Sequence, residues 1–231
     1  MNLRGLGSIE QALAVAAHPN TRLHYSQFGE DVIIESMLDG LGLDRAPGFY
    51  VDVGAFHPHY VSNTRLLHLR GWSGVNIDAN PAAIALFREQ RPRDRNIVAA
   101  ISDVEEDVEF TVYRLAALST ADPASKAAYV REGRADIVQT LALRTRTLRD
   151  VLAEAVPDGQ HVDLMSVDVE GFDLRALRSN DWLRISPRLL LVEDPALSLG
   201  DRPGSEIFQF MRALGYRLAS HAHITSLYIR G

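Results

Sequence analysis

From Phe49 to the end of the chain, short apolar runs alternate with stripes of apolar residues three and four apart. The runs predict strands near 49–53, 74–78, 96–101, 163–168, 188–193, 216–220 and 225–229. The stripes predict helices near 63–70, 81–90, 147–155, 172–182 and 205–214. Gly71 and Gly215 stand where helices end in a left-handed residue, and Thr147 with Asp150 makes a capping box ahead of Val151 and Leu152. Before Phe49, Leu6, Ile9, Leu13 and Ala16 recur at helical spacing, and His18-Pro19-Asn20 ends that helix. A second helix is expected from about Glu30 to Leu41, with Val32, Ile33, Met37 and Leu41 facing inward. Strand–helix alternation of this kind implies a mostly parallel sheet with helices on both faces. Only the few residues around Ala222-His-Ile224 separate the last two strands, so they must form an antiparallel hairpin. The expectation is one α/β domain over 1–231. Two N-terminal helices fill 1–45, and a Rossmann-like core with an open seven-stranded sheet fills 46–231.

One region breaks the rhythm. Within 103–146, Asp107 to Tyr113 alternates like an edge strand or hairpin, while 114–137 is rich in Ala, Ser and Arg with little apolar periodicity. A long irregular insertion in a compact domain suits a lid, a binding loop or a disordered segment.

Chemistry concentrates in Gly48-Phe-Tyr-Val-Asp-Val-Gly-Ala-Phe-His-Pro-His59 and in Gly74-Val-Asn-Ile-Asp78. Each is an apolar run ending in an acid, as in the front half of a nucleotide-binding βαβ unit. Asp52 and Gly54 reach the lip of the first strand, and Asp78 is placed to accept hydrogen bonds from both hydroxyls of a ribose. A dinucleotide site would carry G-x-G-x-x-G to let the backbone approach a pyrophosphate. Here Gly54 stands alone. The ligand expected has a ribose, no phosphates and tolerance of a nearby carboxylate, and S-adenosylmethionine, with its ammonium and sulfonium, fits.

Composition narrows the partners. The 231 residues carry a net charge of −6 and no basic run, which disfavours nucleic acid. There is no cysteine, which removes disulfides, thiolate metal sites and a cysteine nucleophile together. No apolar stretch approaches the ~20 residues of a membrane span, and no continuous signal-peptide core is present, so a cytoplasmic protein is expected.

The ordered motifs Tyr25-Ser-Gln-Phe-Gly-Glu-Asp31, Phe49-Tyr-Val-Asp-Val-Gly-Ala55, Ser62-Asn-Thr64 before Gly71-Trp-Ser-Gly74, Ile77-Asp-Ala-Asn-Pro81, Ala100-Ile-Ser-Asp103, Ser166-Val-Asp-Val-Glu-Gly171 and Leu191-Val-Glu193 resemble the FkbM family of S-adenosylmethionine-dependent methyltransferases. The resemblance implies a class I methyltransferase fold and methyl transfer, typically to a hydroxyl of a sugar or of a glycosylated or polyketide product. It also favours reading Gln27 and its neighbours as a wall of the cofactor pocket, and Asn63 among residues near the methionine end. Many relatives carry glutamate at the place of Asp78, and His57 and His59 are not a constant of the family.

Further candidates come from strand ends. Ser102 and Asp103, after the third strand, are placed to meet an adenine amino group; a turn is the plainer reading. Asp168 ends the fourth strand and Glu193 the fifth, neighbours on the edge where open α/β sheets bind ligands. An alcohol acceptor needs a base, or a metal that acidifies it, and a carboxylate pair could serve either way. A divalent metal is therefore compatible with these residues without being required by them. His57 could also take the hydroxyl proton. A cofactor-binding protein acting through a partner, without catalysis, is the alternative, and the acids at both strand ends speak against it. A nicotinamide oxidoreductase is disfavoured by the single Gly54. DNA amino-methylation is disfavoured because Asp168-Val-Glu-Gly171 stands where an Asn/Asp-Pro-Pro-aromatic turn would be needed. The acceptor is expected to be a small molecule or carbohydrate.

Overall fold

The computed structural model describes residues 17–18, 21–43, 47–200 and 202–231. The helix expected through Leu6 and Ala16, and its end at Pro19-Asn20, lie outside the described residues. Helix α1 (Glu30–Gly40) leads into β1 (Phe49–Val53), α2 (Arg65–Leu69), β2 (Ser73–Asp78), α3 (Pro81–Gln90) and β3 (Arg95–Val98). A short β4 (Ala100–Ile101) precedes the insertion, formed by β5 (Asp107–Tyr113), α4 (Pro123–Arg131) and β6 (Ile137–Arg146). Then follow α5 (Leu148–Ala155), β7 (Leu164–Val167), α6 (Asp173–Arg178), β8 (Leu189–Glu193), α7 (Glu206–Ala213), β9 (Arg217–Ala222) and β10 (Thr225–Ile229).

Seven strands form one sheet in the order β3-β2-β1-β7-β8-β10-β9. The first five run parallel, and β10 is antiparallel to both β8 and β9. The expected terminal hairpin is thus present, turning at His223, whose φ of 57° is left-handed. All five residues of β1 are buried, as a central strand covered on both faces requires. Its odd and even positions serve different layers. Val51 and Val53, with Val75, Ile77, Met165 and Val192, pack against α5, α6 and α7 through Leu152, Leu177 and Met211. Tyr50, with Leu164, Leu191 and Leu227, packs against Ile34 and Leu38 of α1 and against Leu67 and Trp72. Polar caps fix where helices begin: Asn80 accepts from the Ala82 N–H at 3.0 Å, with Pro81 at the first helical position, and Ser205 accepts from Phe208 at 3.0 Å.

Three expectations change. The strand near 96–101 breaks at Ala99: β3 pairs with β2, whereas β4 turns away to pair with β6. Helix α6 stops at Arg178 rather than near 182, and Asp181 begins a separate turn by accepting from Arg184 and Ile185. The insertion is built rather than irregular, since β5 and β6 pair antiparallel over Asp107 to Tyr113, with α4 between them. Helix α4 buries no residue, so it leaves no apolar stripe to read. Its start was nevertheless written in Asp122-Pro123, where the Asp122 carboxylate accepts from the Ser125 N–H at 2.7 Å. Among the described residues no helix is long and apolar enough to cross a membrane.

Because α4 has no buried face, its hydrogen bonds should open locally while the sheet stays closed. Amides of 124–131 are expected to exchange at least about a hundredfold faster than those of β7. Equal protection in a hydrogen-exchange experiment would show that the insertion opens only with the whole domain.

Candidate active site

The sheet reverses its winding at β1, with β2 on one side and β7 on the other. Ligands of open α/β sheets bind beyond the strand ends at such a point. Here Gly54 follows β1 at φ 79°, its N–H donating to Ile77 O at 2.9 Å. A Cβ on Gly54 would lie 1.6 Å from the carbonyl oxygen of Asp168. The lone glycine is therefore required by the contact between two strand ends. A cleft of about 650 Å³ opens above that contact.

One wall is apolar, made by Ala82, Leu86, Ala99, Ala100, Ile101 and Phe110, a slot suited to a flat ring. Asp78 lines the same cleft. Its Oδ2 accepts from Phe56 N at 2.8 Å and its Oδ1 from Asn80 N at 2.7 Å, which fixes the carboxylate while each oxygen keeps a second lone pair. Burial pushes its pKa up to about 6, against those two hydrogen bonds.

Asp168, Glu170 and Glu193 also line the cleft, with His57, Gln27 and Tyr129. Burial raises all three acids; the charges of Glu193, Asp173 and Glu170 raise Asp168 further, and those of Asp173 and Glu170 raise Glu193. Glu193 is pushed up to about 8, Glu170 to about 7, and Asp168 well above the carboxylate range. Asp168 Oδ1 is buried without a hydrogen-bond partner. Asp168, Asp173 and Glu193 offer oxygens within 4.8 Å of one another, a spacing that a cation could also use. Asp173, however, already accepts from Val169 N at 2.9 Å and Gly171 N at 3.1 Å. Glu170 sits at φ 52°, its carboxylate accepting from the Tyr129 hydroxyl at 2.5 Å and its carbonyl from Thr120 Oγ1 at 2.7 Å. The insertion is thereby tied to the loop after β7, an attachment the sequence did not reveal. The signal available was the polar pair Thr120 and Ser125 facing Glu170-Gly171.

His57 Nδ1 accepts from the N–H groups of His59 at 3.0 Å and Tyr60 at 3.3 Å. That pattern assigns the proton to Nε2, leaving the ring a donor to the cleft. Burial lowers its pKa, with the His59 and Arg91 charges adding to the effect, so the neutral ring is favoured.

Of the residues singled out in the sequence, Gln27, Gly54, His57, Asp78, Asp168 and Glu193 line the cleft. Four do not line it: Asp52 and Ser102 are buried, Asn63 is half-buried and Asp103 is exposed. Asp52 is 5% exposed and accepts from Thr64 Oγ1 at 2.5 Å. Asn63 donates to Ser166 Oγ at 3.0 Å, and Ser102 is fully buried. Asp103 is paired with Arg175 at 2.7 Å, and that bond holds its carboxyl below the usual range. Arg175 also pairs with Glu106 and stacks on Phe172, a cleft residue, at 4.5 Å.

The model of the methyltransferase FkbM domain family matches residues 52–218, more than half of the chain. Among solved structures, the chain is similar to a TehB-like SAM-dependent methyltransferase from Corynebacterium glutamicum ATCC 13032 Kitasato, with a TM-score of 0.43 and 12% identity. That likeness covers 96% of each chain. No curated protein matches.

Gly54→Ala would combine a left-handed alanine, costing about 1–2 kcal/mol, with a backbone overlap that must push β1 from β7. A loss of more than about 3 kcal/mol is expected in urea unfolding. The acids give a pH signature of definite sign. Their folded pKa values lie above the unfolded ones, so between about pH 4 and pH 8 the folded state holds more protons, and stability falls as pH rises through that window. Glu193→Gln is expected to raise the melting temperature at pH 8; a flat profile from pH 5 to 8 would show that these carboxylates are not destabilised.

Proposed function

The chain belongs to the FkbM methyltransferase family, and from that footing we propose that it is an O-methyltransferase acting on a hydroxyl of a sugar, a glycan, or a glycosylated or polyketide product. S-adenosylmethionine supplies the methyl group when bound, its S–C bond breaking as the acceptor's O–C bond forms. The residues present fit that donor. The apolar slot beside Asp78 suits an adenine with its ribose, and acids at the far end suit a cation. The observation that carries the hydroxyl reading is the pairing of Asp168 with Glu193 beside that slot. Carboxylates this close, with oxygens within 4.8 Å of one another, cannot both ionise at little cost, so Asp168 is held well above its ordinary value and Glu193 is pushed up to about 8. Such a pair can take the proton of an alcohol as its oxygen becomes nucleophilic. An ordinary carboxylate would be too weak a base.

His57 has a different part. With Nδ1 engaged by two backbone N–H groups, it offers a proton rather than accepting one. We assign it the role of hydrogen-bond donor to a bound oxygen and place the base in the acid pair. Cation activation at Asp168, Asp173 and Glu193 is the second reading, favoured by their spacing, and the two backbone N–H groups on Asp173 leave each of its oxygens a lone pair for it.

Asp78→Ala removes a charged acceptor from the ribose and is expected to cost about 2–3 kcal/mol, or a thirty- to hundredfold loss of S-adenosylhomocysteine affinity by calorimetry. Transfer of labelled methyl from S-adenosylmethionine to a panel of glycosides tests the rest. Asp168→Asn and Glu193→Gln should each slow transfer about a hundredfold or more with cofactor affinity retained. The rate of the parent enzyme should rise with pH towards about 8, where Glu193 loses its proton, and chelator should leave it unchanged. Loss of activity with chelator and recovery with magnesium would replace the base by a metal. A folded Asp168→Asn enzyme with full turnover would refute both.

A further inference from the structure

Arg91 follows the last residue of α3 and is completely buried. Its five hydrogen-bond acceptors are all uncharged. Nη1 donates to Thr64 Oγ1 at 2.8 Å, to the Tyr50 hydroxyl at 3.3 Å and to Asn76 Oδ1 at 3.5 Å. Nη2 donates to Pro58 O at 2.7 Å and to Ser62 Oγ at 2.9 Å. Balancing anions stand one hydroxyl further out. Thr64 donates to Asp52 at 2.5 Å, and Tyr50 donates to Asp94 at 2.5 Å. Phe87 lies under the guanidinium, 4.9 Å from it.

Three of the five acceptors, Pro58, Ser62 and Thr64, belong to the loop between β1 and α2. That loop has reason to need a grip. Phe56 and Val61, at φ 56° and 51°, hold left-handed conformations that cost free energy in residues with side chains, and both line the cleft. The hold extends further, because Ser62 N–H donates to Tyr25 O at 3.0 Å and Tyr25 N–H donates to Asp31 at 2.7 Å. The segment carrying Gln27 is thereby attached to the same loop. A cation buried only for stability could be exchanged for a hydrophobic residue at little loss. Directing its donors at a strained loop gives it a specific task.

We propose that Arg91, which touches neither cofactor nor acceptor, is the positioning residue of the cofactor site, clamping the 56–64 loop and through it the Gln27 segment into the shape that receives S-adenosylmethionine. The inference rests on reading the cleft as the cofactor site. It predicts that the planar fork matters as well as the charge, since a lysine cannot reach Pro58, Ser62 and Thr64 together.

S-adenosylhomocysteine serves as the probe, titrated calorimetrically into the full chain. Arg91→Lys is expected to weaken binding at least about tenfold, and Ser62→Ala, which leaves the cation in place, about threefold or more. Leu152→Ala opens a cavity in the layer on the opposite face of the sheet. It should lower the melting temperature while leaving affinity within about twofold of the parent, which separates positioning from general stability. Exchange of the 56–62 amides should quicken in Arg91→Lys. A folded Arg91→Lys protein with parental affinity overturns the proposal; if that variant does not fold, Ser62→Ala with parental affinity does so. A parent chain that fails to bind the probe would sink the cofactor reading instead, and the exchange of the loop would still report whether Arg91 holds it.

Discussion

Strands β1 and β7 come so close at their ends that Gly54 has no room for a side chain against the Asp168 carbonyl. The site follows from that contact. It brings the acid after β7 to the point where the sheet changes winding direction, and it points Asp168 into the cleft that Asp78 enters from the other side. A glycine at the first strand end is commonly read as making room for a ligand. Here it makes room for the protein's own backbone, and the ligand space above is a consequence.

The second constraint is electrostatic. The cleft gathers Asp78, Asp168, Glu170 and Glu193, with Arg134 as the arginine among its lining residues. Burying acids together is unfavourable, and the raised pKa values are the measure of it. Such a cleft is poorly matched to phosphates and well matched to a cationic methyl donor. It also holds carboxylates whose proton affinity suits work near neutral pH, which isolated surface acids do not have.

Much of the fold was legible because the core strands are apolar runs punctuated by acids and glycines. The two-layer alternation of β1, with Val51 and Val53 facing one way and Tyr50 the other, needs no knowledge of partners. What escaped was set by contacts distant in sequence. Helix α4 has no apolar face, and the break at Ala99 exists because β4 pairs with β6, more than forty residues on. Asp78 and Asp168 could be placed from strand ends alone. Asp52 and Asp103 could not, since nothing local tells whether an acid at a strand end faces ligand space or pairs with another side chain, buried for Asp52 and at the surface for Asp103. For Asp52 the partner is Thr64, for Asp103 it is Arg175, and neither pairing follows from spacing.

Backbone strain joins these threads. Among the described residues, the non-glycine positions with left-handed φ are Phe56, Val61, Glu170 and His223. The first three line the cleft, and the fourth precedes Ile224, which does. Conformations of this kind persist only where surrounding bonds hold them. Each cleft residue has such a hold: Arg91 grips the loop bearing Phe56 and Val61, and Thr120, Ser125 and Tyr129 grip Glu170. The insertion and the buried arginine therefore do equivalent work on two different loops of the cleft. Arg91 holds the loop after β1, the insertion holds Glu170 after β7, and the close contact of Gly54 with the Asp168 carbonyl joins the two strand ends.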